Sequence, residues 1–137
     1  HWLAASPGRP KTLFASADGG VWRAGASSLW AAASSQIEVA SGGALAVLPG
    51  KTEALLVATS AGVAYSMNDG EAWHDATLDA PLAAPISIIV PAAYHLDTAW
   101  SGTADGRLLL SSDRGRSWVT VAHGLAPIHA LAAVRLA

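Results

Sequence analysis

Short apolar runs alternate with polar, glycine-containing turns along the whole chain. Residues 63–65 read Val-Ala-Tyr and residues 108–110 read Leu-Leu-Leu, and a turn rich in Ser, Asn, Asp and Gly follows each run. Apolar runs bounded by such turns are typical of strands joined in hairpins. The pattern predicts an all-β chain with almost no helix.

Two near-copies of one motif mark the clearest turns, at residues 66–73 and 111–118, and both fit S-x-[D/N]-x-G-x-x-W. The defining residues of the two copies are Ser66, Asn68, Gly70 and Trp73, and Ser111, Asp113, Gly115 and Trp118. The Asn or Asp side chain is expected to accept hydrogen bonds from backbone N–H groups two or three residues on, and the glycine to adopt a positive φ. The Trp is expected to pack over the hairpin and into the core.

The motif is part of a longer repeat. Trp30, Trp73 and Trp118 lie 43 and 45 residues apart, a spacing expected of four-stranded propeller blades. The segment that begins at Leu45 and ends in Pro-Gly also repeats one that begins 42 residues earlier, at Leu3. We therefore predict a partial β-propeller of three four-stranded antiparallel blades, at about residues 1–42, 43–84 and 85–127, with the first strand of a further blade at 128–137.

The first blade carries a degenerate copy of the motif that ends at Trp30. Gly25 stands where the Asp is expected, and Ser27 stands where the Gly is expected. This turn is expected to have lost the side-chain hydrogen bonds of the Asn or Asp, which we call the polar clamp. It is expected to keep Trp30 as an aromatic wedge, that is, a Trp that packs into the core. Loss of such a clamp costs roughly 1 kcal/mol by analogy with other side-chain caps.

The two intact copies resemble the Asp-box, or bacterial-neuraminidase-type, repeat of β-propellers. That family includes sialidases, xyloglucan-cleaving glycosidases, the sortilin receptor domain and the photosystem II assembly-factor propellers. The resemblance implies Asp-box hairpins at equivalent positions of the blades. It also favours an extracytoplasmic location, whether periplasmic, lumenal or secreted.

Three blades do not close a ring, because propellers typically have four to eight. The chain is expected either to belong to a longer polypeptide or to assemble with other copies, each passing its last strand to a neighbour. Residues 129–134, His-Ala-Leu-Ala-Ala-Val, echo residues 1–6, His-Trp-Leu-Ala-Ala-Ser, so they are expected to be the first strand of a fourth blade, and both options stay open. Two copies would give six blades.

Composition favours an apolar protein that contacts other proteins. Only 13% of the residues are charged, against about 25% in a typical domain, while 52% are hydrophobic. The most apolar stretch, residues 82–94, is too short to span a membrane and contains prolines. A formal net charge of −2 with no basic run argues against nucleic acid as a partner.

The side chains give little support for catalysis or cofactor binding. Glycoside hydrolysis generally needs two carboxylates that flank the sugar, but most of the ten carboxylates lie in or beside predicted turns. Neither Tyr65 nor Tyr94 has the context of a sialidase nucleophile. The five histidines lack ligand spacing and there is no cysteine, so we expect no metal, no cofactor and no catalytic residue.

The leading prediction is a non-catalytic propeller segment that acts as a protein-interaction scaffold or accessory subunit, with other chains or itself as partner. The alternative is part of a carbohydrate-binding or glycoside hydrolase propeller. Trp2, Trp22 and Trp100 lie outside the motif and could stack on sugars, although core packing is favoured for them.

Overall fold

The structure, a computed structural model, describes residues 2–9, 11–17, 19–25, 27, 29–34, 37–40 and 43–136. Within these ranges there are thirteen strands and no helix, so the all-β prediction is confirmed. The strands form three sheets in chain order. We refer to them as blades one, two and three.

Blade one contains four antiparallel strands, β1 (Trp2–Ala5), β2 (Leu13–Ala17), β3 (Gly20–Ala24) and β4 (Trp30–Ser34). Blade two repeats this order with β5 (Leu45–Leu48), β6 (Ala54–Thr59), β7 (Gly62–Ser66) and β8 (His74–Asp75). In both blades each strand pairs with the next along the chain, because the turns between them are short.

Blade three is larger than predicted. Its strands β10 (Ile86–Pro91), β11 (Ala99–Thr103), β12 (Leu108–Ser111) and β13 (Ser117–Ala122) form the expected antiparallel order. A fifth strand, β9 (Thr77–Leu78), lies along the outer edge of β13 and pairs with it in parallel. The linker from blade two therefore covers an edge that would otherwise be open to pairing.

Blade two lies between the other two blades and is buried on both sides. Its strands β5 and β6 are buried at every position, which explains why their sequences read as continuous apolar runs rather than alternating ones. Leu45, Val47, Leu55 and Val57 pack against Phe14 and Val21 of blade one. On the other side, Leu48 and Leu56 pack against residues of blade three, including Ile89, Leu109 and Trp118.

Each blade thus has a preceding face, toward the blade before it in the chain, and a following face, toward the blade after it. The first strand of blade two, β5, contacts both β1 and β10, so the first strands of the three blades lie side by side. Residues 128–136 form no strand. The predicted first strand of a further blade, at 128–137, would need a second strand to pair with, and the described ranges contain none for it. This strand therefore stays a prediction.

Candidate functional site

The two motif turns have nearly the same geometry. In the first, Ser66 Oγ donates to Asn68 Oδ1 at 2.9 Å and accepts from Gly70 N at 2.9 Å. In the second, Ser111 Oγ donates to Asp113 Oδ1 at 2.9 Å and accepts from Gly115 N at 2.8 Å. The serine, rather than the Asn or Asp alone, is therefore the centre of each turn.

The Asn or Asp side chain holds the far end of the turn, four residues on rather than two or three. Ala72 N donates to Asn68 Oδ1 at 2.9 Å, and Ser117 N donates to Asp113 Oδ1 at 2.8 Å. Partial burial acts to raise the pKa of Asp113, but the hydrogen bonds from Ser117 and Ser111 outweigh it, and the net pKa lies below the usual Asp value.

Both turns place two successive residues at positive φ. The glycines have φ of 83° at Gly70 and 84° at Gly115, as predicted, and the residues before them, Asp69 and Arg114, have 62° and 63°. A Cβ at Gly70 would stand 2.8 Å from Ala33 Cβ in blade one, and a Cβ at Gly115 would collide with Leu56 of blade two. Each turn therefore rests closely on the preceding blade.

The motif tryptophans face the preceding blade as well. Trp118 is 1% exposed, lies in the core between blades two and three, and donates from Nε1 to Gly115 O at 3.0 Å. Trp73 is half-buried and packs on the core between blades one and two. The intact motifs thus join consecutive blades.

Trp30 occupies the same repeat position in blade one but is 47% exposed. In the described part of the chain no blade packs on this side of Trp30, so its expected place as a buried aromatic wedge stays a prediction. Two rows of cross-strand partners run across the four strands of blade one, namely Leu3–Ala15–Trp22–Ala32 and Ala5–Leu13–Ala24–Trp30. Cross-strand partners share a face, so these eight uncharged residues form the preceding face of blade one.

A charged residue at the fourth motif position connects each turn to a loop of the blade before it. Arg114 donates from Nη1 to Pro49 O at 3.0 Å and from Nη2 to Thr52 O at 2.6 Å, both in the β5–β6 loop. Asp69 accepts two hydrogen bonds from Arg9 of the β1–β2 loop, at 2.9 and 2.5 Å. We call these contacts the inter-blade clasps.

The clasp at Asp69 is part of a small charge network. Arg9 also contacts Glu53 at 3.1 Å, and Arg23 lies 3.6 Å from Asp69. The hydrogen bonds from Arg9 hold the pKa of Asp69 below its usual value, and those same bonds raise the pKa of Arg9. Sequence analysis did not identify the clasps, although the charged fourth position of each motif was a visible signal.

A second network holds β9 against blade three. Arg107 donates to Asp79 Oδ1 at 2.8 Å and to Thr120 Oγ1 at 2.6 Å. Thr120 N donates to Asp79 Oδ2 at 2.8 Å, and this bond, ahead of the others, lowers the pKa of Asp79. Arg107 and Arg114 are thus both engaged by acceptors within the chain.

Two of the carboxylates considered for catalysis lie together, because Glu53 and Asp69 both bind Arg9, and this ion-pair network accounts for their position. No group of three or more His, Asp or Glu side chains in the described ranges could hold a metal ion. Tyr65 packs near His74, with ring centroids 5.4 Å apart, and Tyr94 is exposed in the β10–β11 loop. No helix in the described part of the chain is long and apolar enough to cross a membrane.

The chain was compared with known proteins at the level of families, sequences and structures. No family model matches it, and no curated protein matches its sequence. It is similar in structure to an ancestral GH74 enzyme, with a TM-score of 0.69 and 21% identity over 88% of this chain. The match covers only 18% of that enzyme's chain. At this identity the similarity shows the fold alone, and the chain is a β-propeller-type, all-β protein.

Proposed function

We propose that the chain is a non-catalytic propeller segment that acts as a protein-interaction scaffold, and that blades from another polypeptide or another copy complete its ring. The matching hydrogen bonds of the two motif turns support their assignment to the Asp-box type. The scaffold role also agrees with the way the motifs are used, since both of them join blades to each other.

The observation that carries the proposal is the preceding face of blade one. Leu3 is 64% exposed and Trp30 is 47% exposed, whereas Leu45 and Leu55, on the same face of blade two, are 3% and 1% exposed. A contiguous apolar sheet face that is open to water marks an interaction site. The internal contacts between the blades support the following face of another blade as the surface that would cover it.

Several carboxylates have structural roles that account for their positions. Asp113 holds a turn, Asp69 and Glu53 bind Arg9, and Asp79 binds Arg107 and Thr120. These engagements support a scaffold in preference to an enzyme. The proposal includes the absence of a cofactor.

The proposal is tested by placing charge on the open face. In the double variant Leu3→Asp, Trp30→Asp, association measured by sedimentation velocity should be lost while the far-UV spectrum is retained, because both side chains are exposed in the single chain. The matched control is Ala31→Asp, which changes an exposed residue of the same β4 strand on the other face. Association that survives the double variant would contradict the proposal.

The second candidate is a segment of a carbohydrate-binding or glycoside-cleaving propeller. The observation that favours it is the structural similarity to the GH74 enzyme, together with the exposed indole of Trp30, which could stack on a sugar. Binding on a glycan array that is lost in Trp30→Ala would favour this candidate. No binding to any glycan would leave the scaffold proposal in place.

A further inference from the structure

The C-terminal segment, residues 129–136, lies where the first strand of a following blade would lie. After blade one, Val39 N donates to Gly19 O at 2.9 Å, and β5 begins six residues on. After blade three, Leu125 N donates to Gly106 O at 3.1 Å, and Leu131 stands six residues on. The hydrogen bonds at Val39 and Leu125 therefore have equivalent places in the repeat, each six residues before a Leu at the same repeat position.

Contacts around Ile128 place the start of this segment on the following face of blade three. Ile128 N donates to Thr103 O at 3.1 Å, and Ser87 Oγ donates to Ile128 O. A Cβ at Gly102 would collide with the Ile128 side chain. Glycine at this position of β11 is what allows the segment to lie so close to the sheet.

The exposure of the next residues alternates as in a strand that is covered on one side. Leu131 and Ala133 are half-buried, whereas Ala132 and Val134 are exposed. By the equivalence with β5, Leu131 corresponds to Leu45, which faces the blade before it. The segment thus presents its alternate side chains to blade three in the orientation of a first strand.

The segment fills this position poorly. An open groove of about 350 Å³ remains between residues 131–136 and blade three, where Val90, Tyr94, Trp100 and Leu108 line it. In the described ranges the segment has no strand partner. Val134 and Leu136 are 68% and 86% exposed. The segment is therefore attached to blade three mainly through the residues that precede it, Leu125 and Ile128.

Strand β1 is better suited to the same position. Leu3-Ala4-Ala5 and Leu131-Ala132-Ala133 are identical, but β1 carries Trp2 where the segment has Ala130. Trp2 packs into the cores of its own chain and so anchors β1 there, whereas Ala130 is exposed. In addition, β1 arrives already paired with β2, so its backbone hydrogen bonds are satisfied.

We propose that blade one of a second copy displaces residues 129–136 and packs its preceding face on the following face of blade three. This inference rests on the proposed function and names the partner. No charged residue lies in the two rows of cross-strand partners that form the following face of blade three. These rows are Val90–Trp100–Leu110–Val119 and Ile88–Gly102–Leu108–Ala122. The preceding face of blade one is likewise uncharged.

The second copy is favoured over other occupants because one chain carries both complementary faces. Two copies that meet head to tail at both joints give six blades around a two-fold axis, a closed arrangement within the four to eight blades of known propellers. The C-terminal segment then acts as a displaceable cover, since it must leave blade three before the second copy can bind.

The test compares the full chain with a chain that ends at residue 128. One segment must leave at each of the two joints, so if it covers the face about nine-tenths of the time, removing it tightens the dimer dissociation constant roughly a hundredfold. Sedimentation equilibrium over a range of concentrations measures this constant. A dimer that is weakened or unchanged by the truncation would overturn the inference.

Substitutions in the full chain give an independent readout that does not depend on truncation. Leu131→Asp with Ala133→Asp should tighten the dimer in the same direction, because these residues face blade three. The matched control is His129→Asp with Ala130→Asp, which changes two exposed residues of the segment that do not line the groove and should have a smaller effect. Equal effects of the two pairs would also count against the inference.

Failure of the inference can be told apart from failure of the proposed function. If the full chain associates through Leu3 and Trp30 but the truncated chain associates no better, the scaffold proposal stands and the displacement is wrong. If neither chain associates at any concentration, the second copy is excluded as the occupant.

Discussion

At the scale of single residues, the intact motifs place a tryptophan in the core between one blade and the one before it. Trp118 is enclosed by blades two and three, Trp73 is half-buried between blades one and two, and Trp30 faces solvent. This gradient follows the position of each blade in the chain, not a difference in the residue itself. The value of the same side chain to stability therefore depends on its neighbouring blade.

The tryptophans should differ strongly in their effect on stability. Trp118→Ala should lower the free energy of unfolding by about 3–5 kcal/mol, the cost of emptying an aromatic core site. Trp30→Ala should change it by no more than about 0.5 kcal/mol in the single chain, as at other exposed sites. Urea titrations at one low protein concentration check both values, and equal losses at the two sites would contradict the account.

The turn clamp should contribute less than the tryptophan does. Asp113→Ala removes the acceptor of Ser117 N and of Ser117 Oγ, and by analogy with helix caps it should cost about 1 kcal/mol. The same titration checks it. A loss as large as that of Trp118→Ala would show that the clamp, and not the aromatic contact, dominates the turn.

Stability should fall in acid because of the motif carboxylates. The pKa of Asp69 is lowered first by its hydrogen bond from Arg9, and the pKa of Asp113 is also lowered. Groups whose folded pKa lies below the unfolded value of about 3.9 stabilise the fold above that pH. This contribution is lost as the pH falls below about 4, when protons bind.

The check is the free energy of unfolding measured from about pH 6 down to about pH 3. It should decline below about pH 4, and the decline should be shallower in Asp113→Asn, which cannot bind that proton. A stability that rises in acid, or an unchanged slope in the variant, would be inconsistent with these pKa shifts.

At the scale of elements, each motif hairpin is attached to the preceding blade by its clasp. The Arg114 side chain is 13% exposed and donates to carbonyl oxygens of the β5–β6 loop. The clasp at Asp69 is an ion pair between more exposed side chains, and such pairs contribute little. We therefore expect the junction between blades two and three to be the stronger of the two.

Arg114→Ala should destabilise the fold by about 2 kcal/mol, because hydrogen bonds to charged groups contribute about 1.5–3 kcal/mol. Arg116→Ala is the matched control, since Arg116 is exposed on the same turn and its removal should cost less than about 0.5 kcal/mol. Thermal unfolding of the two variants at one concentration compares them. Equal shifts in Tm would argue against a structural role for the clasp.

Much of the fold could be predicted from the spacing of the motif. The turn residues and the recurrence of Trp mark the hairpins, because turn chemistry is local and readable in sequence. The fifth strand, β9, could not be predicted, since Thr77 and Leu78 pair with residues about forty positions away through contacts that no short pattern records. The clasps were missed for the same reason, although their charged residues were visible.

At the scale of the whole molecule, the chain is a stack of blades with an uncovered face at blade one and a poorly covered face at blade three. The exposure of Trp30 was not predicted, because sequence identifies the wedge but not the presence of the blade it would enter. This mismatch is the physical reason for the proposal that the chain is one part of a larger assembly. On the proposed function, the low fraction of charged residues, 13%, would follow from apolar faces that bind other blades.

The most direct test of this account is the mass of the purified 137-residue chain in solution, measured by light scattering across a range of concentrations. The account predicts association to a particle of two chain masses, with the open face of blade one covered. A stable, monodisperse particle of 13.9 kDa at all concentrations, with Leu3 and Trp30 still open to solvent, would contradict it.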